Sequence, residues 1–287
     1  MRQVIALIGA GGKMGCRLTD RFMDAAAYEM RYVEISEAGL TRLGERGLTV
    51  TPQHEAVSEA DVVILAVPDV LIGKIASGIV PDMKPGSLLM LLDPAAAYLG
   101  MVPERDEIAV FLAHPCHPPI FNDETDPLAR QDYFGGIHAK QSIVCALMRG
   151  SEQHYALGEA IAQTMYAPIL RTHRITMEQM AMLEPSMAET VGATCATILR
   201  EAMDEAVRRG VPYEAARDFM LGHIHIELAI VFGEAGNPFS DAALVAIEYG
   251  KQQMLRPDWK QVFEPESLRH NIDLMLNPGK LEQAVEK

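Results

Sequence analysis

The 287 residues are 49% apolar and 22% charged, a composition that supports a packed core and excludes a disordered chain. A formal net charge of −14 excludes nucleic acid and anionic membrane as natural partners. No apolar run reaches the roughly 20 residues of a membrane span, and Cys16, Cys116, Cys145 and Cys195 lie far apart without a C-x-x-C pair, so a reduced, cytoplasmic protein is expected.

The chain enters its first element at once, so no signal peptide is expected. Val4-Ile5-Ala6-Leu7-Ile8 reads as a buried strand and Gly9-Ala10-Gly11-Gly12-Lys13-Met14-Gly15 as a glycine-rich turn opening a helix. Glycines let backbone approach a pyrophosphate, and the helix start offers unpaired N–H groups and the positive end of its dipole. Three fingerprints fit: Gly9 and Gly11 with Met14 in place of the third glycine, Gly12 and Gly15 with Ala10 in place of the first, or Gly9, Gly12 and Gly15. All require the same strand–turn–helix, so residues Gly9, Gly11, Gly12, Lys13, Met14 and Gly15 are the candidate phosphate cradle.

A helix over Arg17 to Ala27 follows, then a strand over Tyr28 to Ile35 that places Glu34 near its end, 19 residues past Gly15. A carboxylate there accepts both ribose hydroxyls of an adenine nucleotide and repels a 2′-phosphate, which points to NAD. Ser36, Arg31, Arg42 and Arg46 keep NADP open.

Asp61 to Val67 is a continuous apolar run stopped by Pro68-Asp69. Ser87 to Leu92 is another, stopped by Asp93-Pro94, and Ile108 to Ala113 a third, stopped by His114-Pro115. Such runs suit strands covered on both faces. Their alternation with helices predicts an α/β fold with a doubly wound parallel sheet, in which Pro68, Asp93 and His114 ring a crevice at the strand ends. Gln141 to Leu147 and Ile169 to Ile175 read as further strands around a helix from about Ser151 to Tyr166. Beyond Thr176 the chain reads as all-α. Thr176 to Gln179 and Ser186 to Glu189 have capping-box spacing, the second opening a long helix to Gly210. Val211-Pro212 starts another helix to about Gly233, and Ser240 caps a third. The expected division is a cofactor domain over 1–175 and a helical domain over 176–287, the latter a dimerisation surface in a homodimer.

His114-Pro115-Cys116-His117 puts two imidazoles at a strand end, on a proline-stiffened loop. His114 suits a general base or a metal ligand, and His117 is a second catalytic candidate. In the helical part Glu184, before Pro185, is the carboxylate with no structural reason to be there, whereas Glu189 serves the capping box. His114 and Glu184 make an N/O pair for a divalent cation, zinc or magnesium, completed by water or a hydroxy acid. His223 and Glu227 share a helix face, the spacing of a metal pair and equally of an ordinary surface pair.

Gly12-Lys13-Met14-Gly15, Val67-Pro68-Asp69, Asp93-Pro94 and Ala113-His114-Pro115 resemble the 6-phosphogluconate dehydrogenase-like superfamily. That resemblance implies an N-terminal Rossmann domain and a C-terminal helical dimerisation domain. Within the superfamily, His114 to Pro119 with Glu184 to Thr190 is most similar to the D-apionate oxidoisomerases. This implies NAD-linked oxidation of a branched sugar acid to a 3-oxo acid, coupled to a skeletal shift. A metal-free dehydrogenase of prephenate or β-hydroxyacid type is the alternative, although the lysine that β-hydroxyacid enzymes use in the helical domain is missing, none lying between Lys140 and Lys251. A non-catalytic NAD sensor is the alternative of another class, and it has no need of acid–base groups at His114 and His117.

Overall fold

Continuous apolar segments set the sheet. In the computed structural model, which describes residues 2–281, β1 (Gln3–Ile8), β2 (Tyr28–Val33), β3 (Val62–Leu65), β4 (Leu88–Leu91), β5 (Ala109–Pro115), β6 (Gln141–Arg149) and β7 (Ile169–Arg174) form one seven-stranded sheet. Its order is β2-β1-β3-β4-β5-β6-β7. The strands β3 and β4 are buried at every residue, as covered parallel strands must be.

Pairing is parallel from β2 through β5, but β6 runs antiparallel to β5, with His114 opposite Val144 and Pro115 opposite Ile143. The expected doubly wound parallel sheet forms from β2 through β5, and β6 joins it antiparallel. The reason lies in the connection: residues 116–140 contain one 3-10 turn, Ala129–Gln131, and no α-helix, so the chain turns back at the carboxyl end of β5 instead of crossing over. That pairing also extends β5 through His114 and Pro115, two residues beyond the expected stop.

Helices α1 (Lys13–Met23), α2 (Glu37–Glu45), α3 (Gln53–Glu59), α4 (Asp69–Ile79), α5 (Ala95–Tyr98) and α6 (Glu152–Met165) connect or cover the strands. The helix α1 begins four residues before the expected Arg17, because Gly12 is already its cap. On one sheet face Leu18 and Phe22 of α1 and Tyr155 and Ile161 of α6 pack with Leu7, Ile64, Met90 and Phe111. A Cβ on Gly158 would stand 2.6 Å from the Phe111 ring, so glycine lets α6 lie directly on β5.

The chain divides into two compact units, Met1–Ala181 with Arg269–Lys287, and Met182–Leu268. At the end of β7 the capping box forms as expected: Gln179 N–H donates to Thr176 Oγ1 at 3.2 Å and Thr176 N–H to Gln179 Oε1 at 2.9 Å, opening α7 (Met177–Ala181). The second capping box does not form. Ser186 and Glu189 lie inside a π-helix, Met182–Ala193, and the Ser186 hydroxyl donates to the Val262 carbonyl at 3.0 Å. Pro185 is likewise inside that helix, so the single long helix expected from Ser186 becomes a π segment followed by α8 (Thr194–Arg208). The chain continues through α9 (Tyr213–Val231), α10 (Asp241–Met254), capped by Ser240 Oγ as expected, and α11 (Pro265–Leu276). Among the described residues no helix is long and apolar enough to cross a membrane.

Candidate active site

The cradle follows from steric crowding. Gly9 is left-handed at φ 79°, and a Cβ there would meet the Ala66 carbonyl oxygen at 2.5 Å and Val67 Cγ1 at 2.9 Å. A Cβ on Gly11 would reach the Gly39 Cα at 2.5 Å, and one on Gly15 the Ala10 carbonyl at 2.8 Å. Gly12 is less crowded: its nearest neighbour would be the Gly9 oxygen at 3.2 Å, a tight contact that a shift of a few tenths of an ångström relieves. The first, second and last glycines are thus demanded by the turn itself, while Gly12 leaves its outer side to a ligand. It caps α1 without any side-chain hydrogen bond, so the first N–H groups of the helix keep their capacity for an anion. Lys13 and Met14 are exposed on that first turn.

Glu34 follows β2 and is tied to the cradle. Its Oε2 accepts the Gly11 N–H at 3.0 Å, while Oε1 accepts from the Ile35 and Ser36 N–H groups at 2.8 Å each and from Ser36 Oγ at 2.9 Å. Burial pushes its carboxyl pKa up, but the bonds from Ser36, Ile35 and Gly11 outweigh burial and hold it below the ordinary glutamate range. Glu34 is therefore anionic at neutral pH, with Oε2 the oxygen that retains acceptor capacity. The basic residues that kept NADP open have other partners. Arg31 pairs with Glu29 at 2.7 Å, Arg46 with Asp20 at 2.6 Å, and Arg42 donates to the Gly11 carbonyl, while Ser36 Oγ caps α2. Pro68 stands exposed at the start of α4, one residue beyond the Val67 that crowds Gly9.

His114 is half-buried near the end of β5. The Leu92 carbonyl lies 2.7 Å from its Nδ1 and can only accept, so the neutral ring carries its proton on Nδ1 and Nε2 is its acceptor nitrogen. The carboxylate of Asp93 has an oxygen within 4.8 Å of a His114 ring nitrogen, and its Oδ1 accepts the Ala95 N–H at 2.7 Å. From the sequence Asp93 was expected on the rim of the same crevice as His114, but not as a ligand beside it. The signal was present, because Asp93-Pro94 and His114-Pro115 each end a buried run, and neighbouring parallel strands bring such ends together. A buried brace backs this strand end: Tyr166 Oη donates to the Ala113 carbonyl at 3.1 Å, and Gln141 Nε2 to the Tyr166 carbonyl at 2.9 Å.

His117 has a left-handed backbone, φ 61°, and its Nδ1 donates to the Phe134 carbonyl at 2.9 Å, with the two rings edge to face. Its acceptor nitrogen is Nε2. Together with Met14, Arg17, Gly135 and Gln141 it lines a shallow cleft beside α1. Glu184 belongs to the second unit, half-buried in the π-helix. Within that unit His223 bonds its own helix, Nδ1 lying 2.8 Å from the Phe219 carbonyl with the rings stacked, the arrangement of a surface pair.

Residues 122–276 match the family described as phosphogluconate dehydrogenase (decarboxylating) C-terminal, and residues 4–92 match the coenzyme F420-dependent NADP oxidoreductase family. A D-apionate oxidoisomerase of Rhizobium rhizogenes is 54% identical over 270 residues, 94% of this chain and 98% of that protein. One of Cupriavidus necator is also 54% identical, over 95% of this chain and 99% of its own length. A crystal structure of a semialdehyde dehydrogenase NAD-binding protein from Cupriavidus necator, in complex with calcium and NAD, superposes with a TM-score of 0.93 at 53% identity and covers 96% of this chain and all of that one.

Proposed function

Since this chain belongs to the D-apionate oxidoisomerase family, an oxidoreductase family, we propose that it oxidises a branched polyhydroxy acid of the D-apionate type with NAD and rearranges the product to a 3-oxo acid. The observation that carries the reading is His114, whose proton is pinned on Nδ1 by the Leu92 carbonyl beside the carboxylate of Asp93. A non-catalytic sensor has no use for an oriented imidazole at a strand end.

The residues fit both implied groups. NAD supplies the hydride acceptor; Gly9 to Gly15 form a cradle in which added Cβ atoms would collide, and the anionic Glu34 suits a ribose diol over a 2′-phosphate. For a divalent cation, Asp93 and His114 of the first unit supply a hard carboxylate and an imidazole side by side, and Glu184 is the further carboxylate we propose as a ligand. The chemistry such an ion supplies there is Lewis acidity toward the carbonyl that oxidation creates, easing migration of a neighbouring carbon group. The relative that holds calcium together with NAD supports a cation site in this family. The protein's own work is orientation: the Leu92 carbonyl and the Ala95 N–H hold His114 and Asp93 in place at the strand ends, and His117 Nε2 takes the proton of the carbinol hydroxyl as its C–H hydride departs. Turnover tests the reading. NADH formation with D-apionate, abolished by exhaustive chelation and restored by zinc, magnesium or calcium, is the expected result; no NADH from any branched sugar acid removes it.

The second unit is proposed to assemble as a homodimer. Its helices leave Phe219, Val231, Phe232, Val245 and Tyr249 more than 60% exposed, and α10 has no buried residue. Exposed apolar side chains of that size, in a chain of net charge −14, are suited to a second copy of itself.

A further inference from the structure

Residues 116–140 carry the chain from β5 to β6 with only one 3-10 turn. Such a segment has little backbone pairing of its own, yet it carries His117 and must hold it in a left-handed conformation. Two arginines of α1 do the holding. Arg17 Nη2 donates to the Gly135 carbonyl, its guanidinium lies 5.3 Å from the centre of the Phe134 ring, and its charge faces Asp132 at 3.9 Å. One turn further along, Arg21 donates from Nε to the Gly136 carbonyl at 2.6 Å and from Nη2 to the Ile137 carbonyl at 2.7 Å. Asp132 ties the same segment from within: Oδ2 accepts the N–H groups of Ile137, His138 and Ala139 at 3.0, 2.9 and 3.1 Å. The last link is Phe134, whose carbonyl takes the His117 Nδ1 proton and whose ring lies under Arg17.

The helix bearing both arginines is the one whose first turn forms the phosphate cradle. We infer that Arg17 and Arg21 are positioning residues that couple the cofactor helix to the His117 loop, so that a dinucleotide seated at the start of α1 steadies residues 132–139 and fixes the direction of His117. Packing of α1 does not require them, since Leu18 and Phe22 already bury its inner face. Only the substrate arm of this inference rests on the proposed reaction.

The test compares full-length wild type with Arg21→Met, Arg21→Lys and Arg17→Met, using hydrogen exchange with and without saturating NAD and steady-state kinetics with D-apionate. In the wild type NAD slows exchange of the 137–139 amides about 5-fold or more, the lower end of coupling between sites. In both methionine variants that effect disappears, and NAD affinity falls by no more than the same factor. Lysine, which lacks the fork to bridge two carbonyls, gives an intermediate result. The kcat of Arg21→Met drops about 10- to 100-fold, as for a displaced reacting group, while circular dichroism stays near wild type and KM for NAD rises by no more than the coupling factor. Loop exchange that is indifferent to NAD in the wild type, or equal in wild type and Arg21→Met, overturns the coupling. Faster loop exchange with unchanged kcat and substrate KM overturns the positioning role. A wild type that turns over no hydroxy acid defeats the proposed reaction, and the exchange comparison still decides the coupling.

Discussion

Asp93 and His114 stand side by side because β4 and β5 are paired in parallel with Leu91 opposite Leu112, and each residue lies two positions beyond that pair. The sheet register, more than the loops, sets the spacing of the two donor groups. Asp93→Asn and Glu184→Gln should each weaken cation binding by at least about 10-fold, in line with the loss of a charged ligand, and leave NAD affinity within twofold. Isothermal titration with the metal and with NAD separately measures both. His114→Ala should abolish metal uptake and turnover together. Full activity of the wild type after chelation verified by elemental analysis would return His114 to the role of a metal-free base, for which the alanine variant loses about 10²–10⁴-fold in rate.

Gly12 and Gly11 should separate fold from function. Gly12 has φ −69°, which alanine adopts readily, and its added Cβ meets nothing nearer than 3.2 Å. Gly12→Ala should lower the melting temperature less than Gly11→Ala yet weaken NAD binding about 10-fold or more, because the methyl occupies the side a pyrophosphate approaches. Gly11→Ala should lose both stability and binding, since its Cβ meets Gly39 backbone. Paired thermal melts and fluorescence titrations with NADH decide it; equal effects of the two substitutions would argue against a ligand over Gly12.

Cofactor choice turns on Glu34. Replacement by Gln removes the charge that opposes a 2′-phosphate, so the preference for NAD over NADP should shrink by about 10-fold, the size of one charged contact. Titration of wild type with both oxidised cofactors is the first check, and equal or tighter NADP binding would overturn the assignment.

The acid limb of stability follows from carboxylates held below their ordinary range. Asp61 is one: burial works against its charge, but hydrogen bonds from Lys84 Nζ at 2.6 Å and the Val4 N–H at 2.8 Å, with the lysine charge, outweigh it. A carboxyl whose pKa is lowered by folding stabilises the native state above its unfolded value and loses that contribution as pH falls through the folded value. The wild type should therefore lose stability below about pH 4, the ordinary aspartate range. Asp61→Asn should cost about 1 kcal/mol at neutral pH, a figure kept small by solvent screening, and should flatten the acid limb. Denaturant melts at neutral pH and at pH 3 measure both slopes.

For assembly, light scattering at micromolar concentration should report twice the 31.5 kDa chain mass. Phe232→Glu with Val245→Glu should give a monomer, and a wild type that is monomeric at that concentration would defeat the homodimer.

The parallel strands were legible because burial on both faces writes itself as unbroken apolar runs, and the cradle because its glycines are sterically compelled. The antiparallel return of β6 was not, since strand direction is decided by a connection whose lack of a helix leaves no periodicity to read. Asp93 was legible as a companion of His114 at the strand ends but not as a ligand, because an aspartate that stops a strand carries no local mark of that role. Arg17 and Arg21 looked like ordinary helix-surface cations, and nothing local marks their targets at Gly135 to Ile137. The Ser186 to Glu189 spacing misled because the box motif presumes a helix start, whereas the backbone there was already helical with a wider turn.

The π segment Met182–Ala193 carries a further consequence for how this chain tolerates length changes. A π-turn holds about one residue more than an α-turn. Removing a single residue there would let one wide turn relax to an ordinary one with no break in the helix. Both kinds of turn close the same circle, so side chains on either side of the deletion would keep their faces. Glu184, with Pro185 beside it, would hold its direction relative to α8. A one-residue gap in this stretch would thus be absorbed by the width of the helix, without rotation, and the direction of the carboxylate can survive a difference in length.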